Sequence, residues 1–219
     1  MILAIGDSNL YPSCTETDQQ PVDYTNMAPV FAEQMGQQFR CWSKNGASNY
    51  WIETHIEYFL ADTSKVTGGD PFLFIGWTST EREEWPWLYN NISVCGGPDF
   101  GMPEPMKAKF NQWKTTLTRE YMQQCNEFWH ARIHQMHLKL QELGIRHLFW
   151  TTYDNFKSIS NHADWHDNFY KPYDPNGCMA KFFETNNLPA NDGDPFHYGP
   201  VAQAAWATEL SQYAKRHNL

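Results

Sequence analysis

Ser8 stands in the run Ile5-Gly6-Asp7-Ser8-Asn9, directly after a short apolar stretch, and Asp194-Pro195-Phe196-His197 stands just before the last helical pattern of the chain. A serine hydroxyl becomes a nucleophile when an imidazole within hydrogen-bond reach takes its proton. A carboxylate three residues from that imidazole can curl back to orient and polarise it. These three residue types are the ingredients of acyl transfer through a covalent acyl-enzyme. Taken singly, Gly-Asp-Ser is also ordinary turn chemistry, because Gly, Asp and Ser populate tight turns for conformational reasons. A chemical role therefore requires a fold that brings the two ends of a 219-residue chain together.

The elements that would have to do this can be read along the chain. Ile2 to Ile5 is an apolar run ended by a turn, the pattern of a strand buried on both faces. Met27, Val30, Phe31 and Met35 recur at helical spacing, Phe39 to Trp42 reads as a second strand, and Asn45-Gly46 as a turn. Ser48 or Asn49 can cap a helix with Ile52, Ile56 and Phe59 on one face, and Gly68-Gly69-Asp70-Pro71 breaks the chain before a third strand, Phe72 to Ile75. Residues 77–104 and 153–192 lack any period and read as loop insertions, a length that in compact domains tends to carry function. Between them, Met106, Phe110, Trp113 and Leu117, then Trp129, Ile133, Met136, Leu140 and Leu143, give one long or two consecutive amphipathic helices. Ile145 to Trp150 is a fourth strand, and Gly199-Pro200 opens a final helix with Ala202, Trp206, Leu210 and Tyr213 facing inward. Strands alternating with helices predict one α/β domain over 1–219, a mostly parallel sheet in a three-layer sandwich. Ligands in such sheets bind beyond the carboxyl ends of the strands, so the loops after Ile5, Trp42, Ile75 and Trp150 should converge.

Ile-Gly-Asp-Ser-Asn after a first strand and Asp-x-x-His before the last helix resemble the first and last sequence blocks of the SGNH, or GDSL-type, hydrolases, in the family's order. The resemblance spans nearly the whole chain. It implies a flavodoxin-like α/β/α fold with a four- or five-stranded sheet, and cleavage of esters of lipids, sugars or polysaccharides. By this resemblance Ser8 is expected as the nucleophile, His197 as general base and then acid, and Asp194 as the carboxylate that orients the histidine. Lys44-Asn45-Gly46-Ala47-Ser48-Asn49 resembles the second block, which makes the N–H of Gly46, beside that of Ser8, an expected oxyanion donor. The third block, normally Gly-x-Asn-Asp, reads Gly76-Trp77-Thr78-Ser79 here. The asparagine is replaced, and the hydroxyl of Thr78 is the expected third donor; such a donor is worth roughly 3 to 4 kcal/mol. The family's fifth strand has no convincing counterpart in 153–192.

Thr80-Glu81-Arg82-Glu83-Glu84-Trp85 follows and sets Arg82 at the rim of the expected pocket, where it can clamp an anionic group or pair with neighbouring carboxylates. Trp77, Trp85 and Trp87 can stack on a sugar ring or pack the long loop. Asn9, Trp77 and Arg82 are thus the expected substrate-binding residues. His130, His134 and His137 share one helical face, and His162, Asp164, His166 and Asp167 crowd one loop. Neither spacing is a recognised zinc signature, a boundary ridge and loop hydrogen bonding account for them, and no metal or other cofactor is expected.

With 25 acidic and 16 basic side chains the net charge is −9, and the absence of any Lys/Arg cluster argues against a nucleic-acid partner. No apolar run approaches the roughly 20 residues that span a bilayer, so membrane insertion is not expected. Five cysteines without a CxxC pair argue against a disulfide framework or a zinc ribbon. The apolar start is too short for a secretion signal, which makes a cytoplasmic location the expectation. Aromatic residues reach 16% in a chain of mean hydropathy −0.65. Polar, aromatic loops favour a short acyl ester of a carbohydrate over a long lipid chain, which would need an aliphatic funnel. The same residues leave two alternatives, a glycan-binding protein that has lost turnover and an acyltransferase using the same triad.

Overall fold

The computed structural model describes residues 1–10, 27–62, 70–88, 90–97, 102–188, 190–191 and 194–219; the side chains of 90, 191 and 194–196 lie outside the description. The elements run β1 (Ile2–Gly6), α1 (Met27–Gln34), β2 (Phe39–Ser43), α2 (Asn49–Ala61), β3 (Phe72–Trp77), β4 (Glu83–Trp87), β5 (Asn90–Val94), α3 (Glu104–Lys114), α4 (Arg119–Glu142), β6 (Arg146–Thr151), α5 (Met179–Thr185), β7 (Ala190–Asn191), β8 (Asp194–Tyr198) and α6 (Pro200–Arg216). Four of the strands form a parallel sheet in the order β2-β1-β3-β6.

Side-chain alternation along these strands builds two cores, one on each face. Ile2, Ala4, Phe72, Phe74, Leu148 and Trp150 pack with residues of α1, α5 and α6. Leu3, Ile5, Leu73, Ile75, Trp77 and Phe149 pack with α2 and α4 on the other side. Apolar side chains on both faces explain why the strands read as continuous hydrophobic runs. Helix layers on either side of a parallel sheet make the three-layer α/β arrangement the sequence predicts. Gly76 lies beside Trp150 in the β3–β6 register, and a Cβ there would meet the indole at 2.4 Å, so only glycine lets that ring lie across the sheet.

The helix boundaries follow from local chemistry. The Ser48 hydroxyl accepts from the Trp51 N–H to cap α2, and Thr118 does the same for α4 through Tyr121. Two helices form in place of one long one because the Thr115 and Thr116 hydroxyls bond back to the carbonyls of Gln112 and Trp113, closing α3 before Thr118 opens α4.

Both insertions carry more structure than their sequences predict. Within 77–104, β4 and β5 form an antiparallel hairpin with Trp85 opposite Ile92 and Glu83 opposite Val94. Its inner face joins Met102, Met106 and Phe110 in a satellite core beside the main one. Within 153–192, α5 packs on the α6 side of the sheet, and the short β7 pairs antiparallel with β8. Among the described residues the edge beyond β6 carries one parallel bridge: the Phe149 N–H donates to the Asn168 carbonyl at 2.7 Å and the Tyr170 N–H to the Phe149 carbonyl at 2.8 Å. No described helix is long and apolar enough to cross a membrane.

Candidate active site

Parallel strands place all their carboxyl ends on one side of the sheet, and the loops that follow them meet there. Ser8 follows β1, Asn45 and Gly46 follow β2, Ser79, Glu81 and Arg82 follow β3, and Tyr153 follows β6. These residues, together with His197 of β8 and the segment Ile92 to Gly97, line a cavity of about 470 Å³. The two ends of the chain thus contribute Ser8 and His197 to one cavity. Asp194 opens the strand that carries His197, and its side chain lies outside the described residues.

Asp7, the residue before Ser8, is the hub of the floor. Its Oδ1 accepts from the Asn9 N–H at 2.9 Å and from the Asn9 amide at 3.0 Å, fixing the turn that presents Ser8. Its Oδ2 accepts from the Thr78 hydroxyl at 2.9 Å. The backbone of Thr78 is held in turn by Asn49, whose Oδ1 accepts the Thr78 N–H at 2.8 Å and whose amide donates to the Thr78 carbonyl at 3.2 Å.

This arrangement corrects three sequence expectations. Thr78 is 2% exposed and lies outside the cavity lining, and its single hydroxyl proton is committed to Asp7. It is a strut beneath the Ser8 turn, and the expected third oxyanion donor is not this side chain. Asn9 is buried off the cavity against Asp7, with its amide 3.4 Å from the Tyr153 hydroxyl, so it shapes the turn and does not face a substrate. Trp77 is 1% exposed and packs edge-on to Phe149 in the core, where it cannot stack on a sugar. Trp85 likewise packs in the satellite core, against Trp113.

The Thr78 strut has a measurable consequence. Thr78→Val removes a buried hydrogen bond to a carboxylate while keeping the side-chain volume, and should lower unfolding stability by about 2 kcal/mol. Thr78→Ser should be within about 1 kcal/mol of wild type, because it keeps the donor and loses only a methyl group. Urea denaturation of the two variants checks this, and a Thr78→Val protein as stable as wild type would remove the strut.

Arg82 lines the cavity and is largely withdrawn from solvent: its side chain is 10% exposed, with Nη1 donating to the Ala47 carbonyl at 3.3 Å and lying 3.6 Å from Asp7 Oδ2. The neighbouring carboxylates separate into three roles. Glu83 accepts from the indoles of Trp85 and Trp113 and from the Tyr121 hydroxyl, tying the hairpin to α3 and α4. Burial pushes the Glu84 carboxyl up, but the Lys44 ammonium at 3.1 Å and the Ser48 N–H and hydroxyl outweigh it and hold the group below its usual range. Glu84 thereby pins the hairpin over the Gly46 turn. Gly46 has φ +71°, and a Cβ on it would lie 3.1 Å from the Ser93 Cβ, so both the backbone and the hairpin above it require glycine.

Glu81 turns inward. It is 8% exposed, its Oε2 has no hydrogen-bond partner among the described residues, and burial is the main cause that raises its carboxyl above the usual range, with Asp154 adding to the effect. Burial and the Asp7 charge push the Tyr153 phenol up to about 12, which keeps it a proton donor at the cavity wall. Tyr153 was findable in the sequence, since it comes two residues after a sheet strand. Which carboxylate of the Glu81–Glu84 run faces the cavity is set by the hairpin's docking and has no signature in residue type.

The histidine groups make local contacts. His130 hydrogen-bonds the Tyr173 hydroxyl at 2.9 Å, His134 lies 3.2 Å from the Asp164 carbonyl, and His162 stacks on Tyr173 at 3.7 Å. His137 and His147 form a buried pair at 2.9 Å. Among the described residues no group of three or more His, Cys, Asp or Glu side chains could hold a metal ion.

The chain matches no protein-family model and no curated protein.

Proposed function

We propose that the protein is a serine ester hydrolase of the SGNH type, acting on a short acyl ester, with O-acetyl carbohydrates as the preferred class. What supports this is that Ser8 and His197, from opposite ends of the sequence, line one cavity at the carboxyl ends of a parallel sheet. The strand order β2-β1-β3-β6 is also that of the first four strands of a flavodoxin-like sheet, and the bridge at Phe169 stands where a fifth would pair.

In this reading the Ser8 Oγ bonds to the ester carbonyl carbon as His197 takes its proton, and the carbonyl electrons move onto oxygen. The N–H groups of Ser8 and Gly46 hold that oxyanion. Collapse expels the alcohol, which leaves with the proton from His197. Water then attacks the acyl-Ser8 with His197 again as base, and the acid departs. Asp194 orients the imidazole. The preference for a carbohydrate ester rests on the polar side chains of Ser79, Glu81, Arg82 and Ser93 in a lining that also includes Ile92 and Val94, and on a cavity sized for a small ligand. With Trp77 in the core, stacking on that indole does not enter.

A fluorophosphonate probe tests the reading, because it reacts only with a serine activated by a base. Wild type should take up one label per chain and Ser8→Ala none. A folded wild-type protein that stays unlabelled would favour the alternative in which the same fold only binds a glycan.

A further inference from the structure

We infer that Arg82 is the third oxyanion donor, a guanidinium in the place where the sequence lacks an asparagine; this rests on the serine-hydrolase reading above. Thr78 cannot serve, since its hydroxyl is committed to Asp7 and its backbone N–H to Asn49. Arg82 is tied to both turns that frame the oxyanion position. Its Nη1 stands against Asp7, one residue before Ser8, and donates to the carbonyl of Ala47, one residue after Gly46. An ester carbonyl attacked by Ser8 and held by the Ser8 and Gly46 N–H groups lies between those two turns. The guanidinium lines the same cavity as Ser8, Gly46 and His197.

The donors of the guanidinium are also underused by the protein itself, although Asp7 lies at ion-pair distance. Asp7 already receives three hydrogen bonds from neutral donors, two from Asn9 and one from Thr78, and the guanidinium stands 3.6 Å away, beyond hydrogen-bond length. Arg82 Nε is buried without a partner, and Nη1 makes the only contacts of the group to protein acceptors among the described residues. Burying a donor without a partner is costly, and a developing negative charge nearby would meet the donors that Asp7 and Ala47 leave unused. The tetrahedral intermediate brings that charge: as the Ser8 Oγ–C bond forms and the Ser8 proton passes to His197, the carbonyl oxygen becomes an alkoxide facing a fixed guanidinium. In the ground state the same oxygen is neutral and interacts far less, so Arg82 acts on kcat more than on KM. A fixed cation where charge develops does the work of an amide donor and needs no reorganisation during the reaction.

The test uses the full chain and p-nitrophenyl acetate, a neutral ester that offers no anion to clamp. Arg82→Gln should lower kcat by about 100- to 1,000-fold while KM changes by less than about threefold. Methylguanidinium added to Arg82→Ala should restore part of the lost rate. If Arg82→Gln does not give folded protein by circular dichroism, Arg82→Lys carries the test. One ammonium holding Asp7 cannot also serve the Gly46 side, and kcat should fall at least about tenfold. Full kcat in a folded Arg82→Gln or Arg82→Lys protein overturns the inference, and so does a loss confined to KM, which would make Arg82 a substrate clamp. Ser8→Ala run in parallel separates the two levels. Wild-type turnover no higher than that of Ser8→Ala defeats the hydrolase reading itself, whereas Ser8-dependent turnover that ignores Arg82 defeats only the donor.

Discussion

Ser8→Ala, His197→Ala and the double variant should share one residual rate on p-nitrophenyl acetate, at least about a thousandfold below wild type. The near-equality carries the information. A serine hydroxyl is a poor nucleophile without a base, and an imidazole has nothing to deprotonate without the serine, so removing either removes the whole unit. What survives in all three proteins is the stabilisation of an oxyanion formed by water attack, from the N–H groups of Ser8 and Gly46, which side-chain substitution leaves in place. If the two residues acted separately, the double variant would lose the product of the single losses and fall well below both. A multiplicative result would mean that lining the same cavity does not couple these side chains, and the acyl-enzyme mechanism would have to be abandoned. Ser8 sits in the turn after β1 and His197 within the short β8, and neither belongs to the hydrophobic cores. Loss of activity should therefore come without a shift of more than about 0.5 kcal/mol in stability.

How much of this site was legible in the sequence depends on how local each feature is. Ser8, Gly46 and His197 belong to short runs whose positions after strands are set by apolar periodicity, and that periodicity dictated where β1, β2, β3 and β6 fall. Gly46 was legible for the simplest reason, because Asn-Gly demands a turn and the backbone there has positive φ. Trp77 shows how a family block can outvote strand geometry. It follows Leu73 and Ile75 at a spacing of two, on the face that packs against α2 and α4, so parity alone directs it into the core and away from the strand ends.

Thr78 and Arg82 could not be resolved in the same way. A hydroxyl in the third block says that a donor exists and nothing about which acceptor takes its proton. The acceptor is Asp7, which the β1–β3 pairing brings alongside from the start of the chain. Arg82 is flanked by Glu81, Glu83 and Glu84, and sequence proximity points to those as its partners. Its contacts are instead with Asp7 and the Ala47 carbonyl, while Glu84 goes to Lys44 and Glu83 to two indoles. The hairpin was illegible for a related reason. Glu83-Glu84-Trp85-Pro86-Trp87 contains a proline and two carboxylates, which weaken any strand pattern. It is selected by what its face packs on: Met106 and Phe110 of α3, and the Lys44 and Ser48 contacts to Glu84.

A separate prediction concerns acid, and it follows from the buried histidine pair. The Ile145 carbonyl can only accept, so His147 Nδ1, 2.9 Å away, carries the proton and its Nε2 is bare. That Nε2 accepts from His137 Nδ1–H at 2.9 Å, which leaves His137 Nε2 as a buried acceptor with no partner among the described residues. Neither ring can take a second proton comfortably: on His147 it would face another donor, and on His137 it would find no acceptor. Burial is the main cause that lowers both, to about 3 for His137 and about 4 for His147, with the charge of each further histidine opposing protonation of His137. In the unfolded chain both titrate near 6.5. The unfolded state therefore binds more protons below pH 6.5, and stability falls as pH drops from there towards about 4. At pH 5 each ring costs about 2 kcal/mol, together about 4 kcal/mol out of a typical 5 to 15. Glu81 and Asp154 act in the opposite sense: burial raises both carboxyls, so they lose their penalty on acidification and mask part of the drop in wild type. The difference between variants removes that masking. His137→Gln keeps an amide donor for His147 Nε2 and has no charge to gain. Its stability loss from pH 7 to pH 5, measured by urea denaturation, should be smaller than that of wild type by about 2 kcal/mol. An equal loss in both proteins would show that the imidazole of His137 is not what acid attacks.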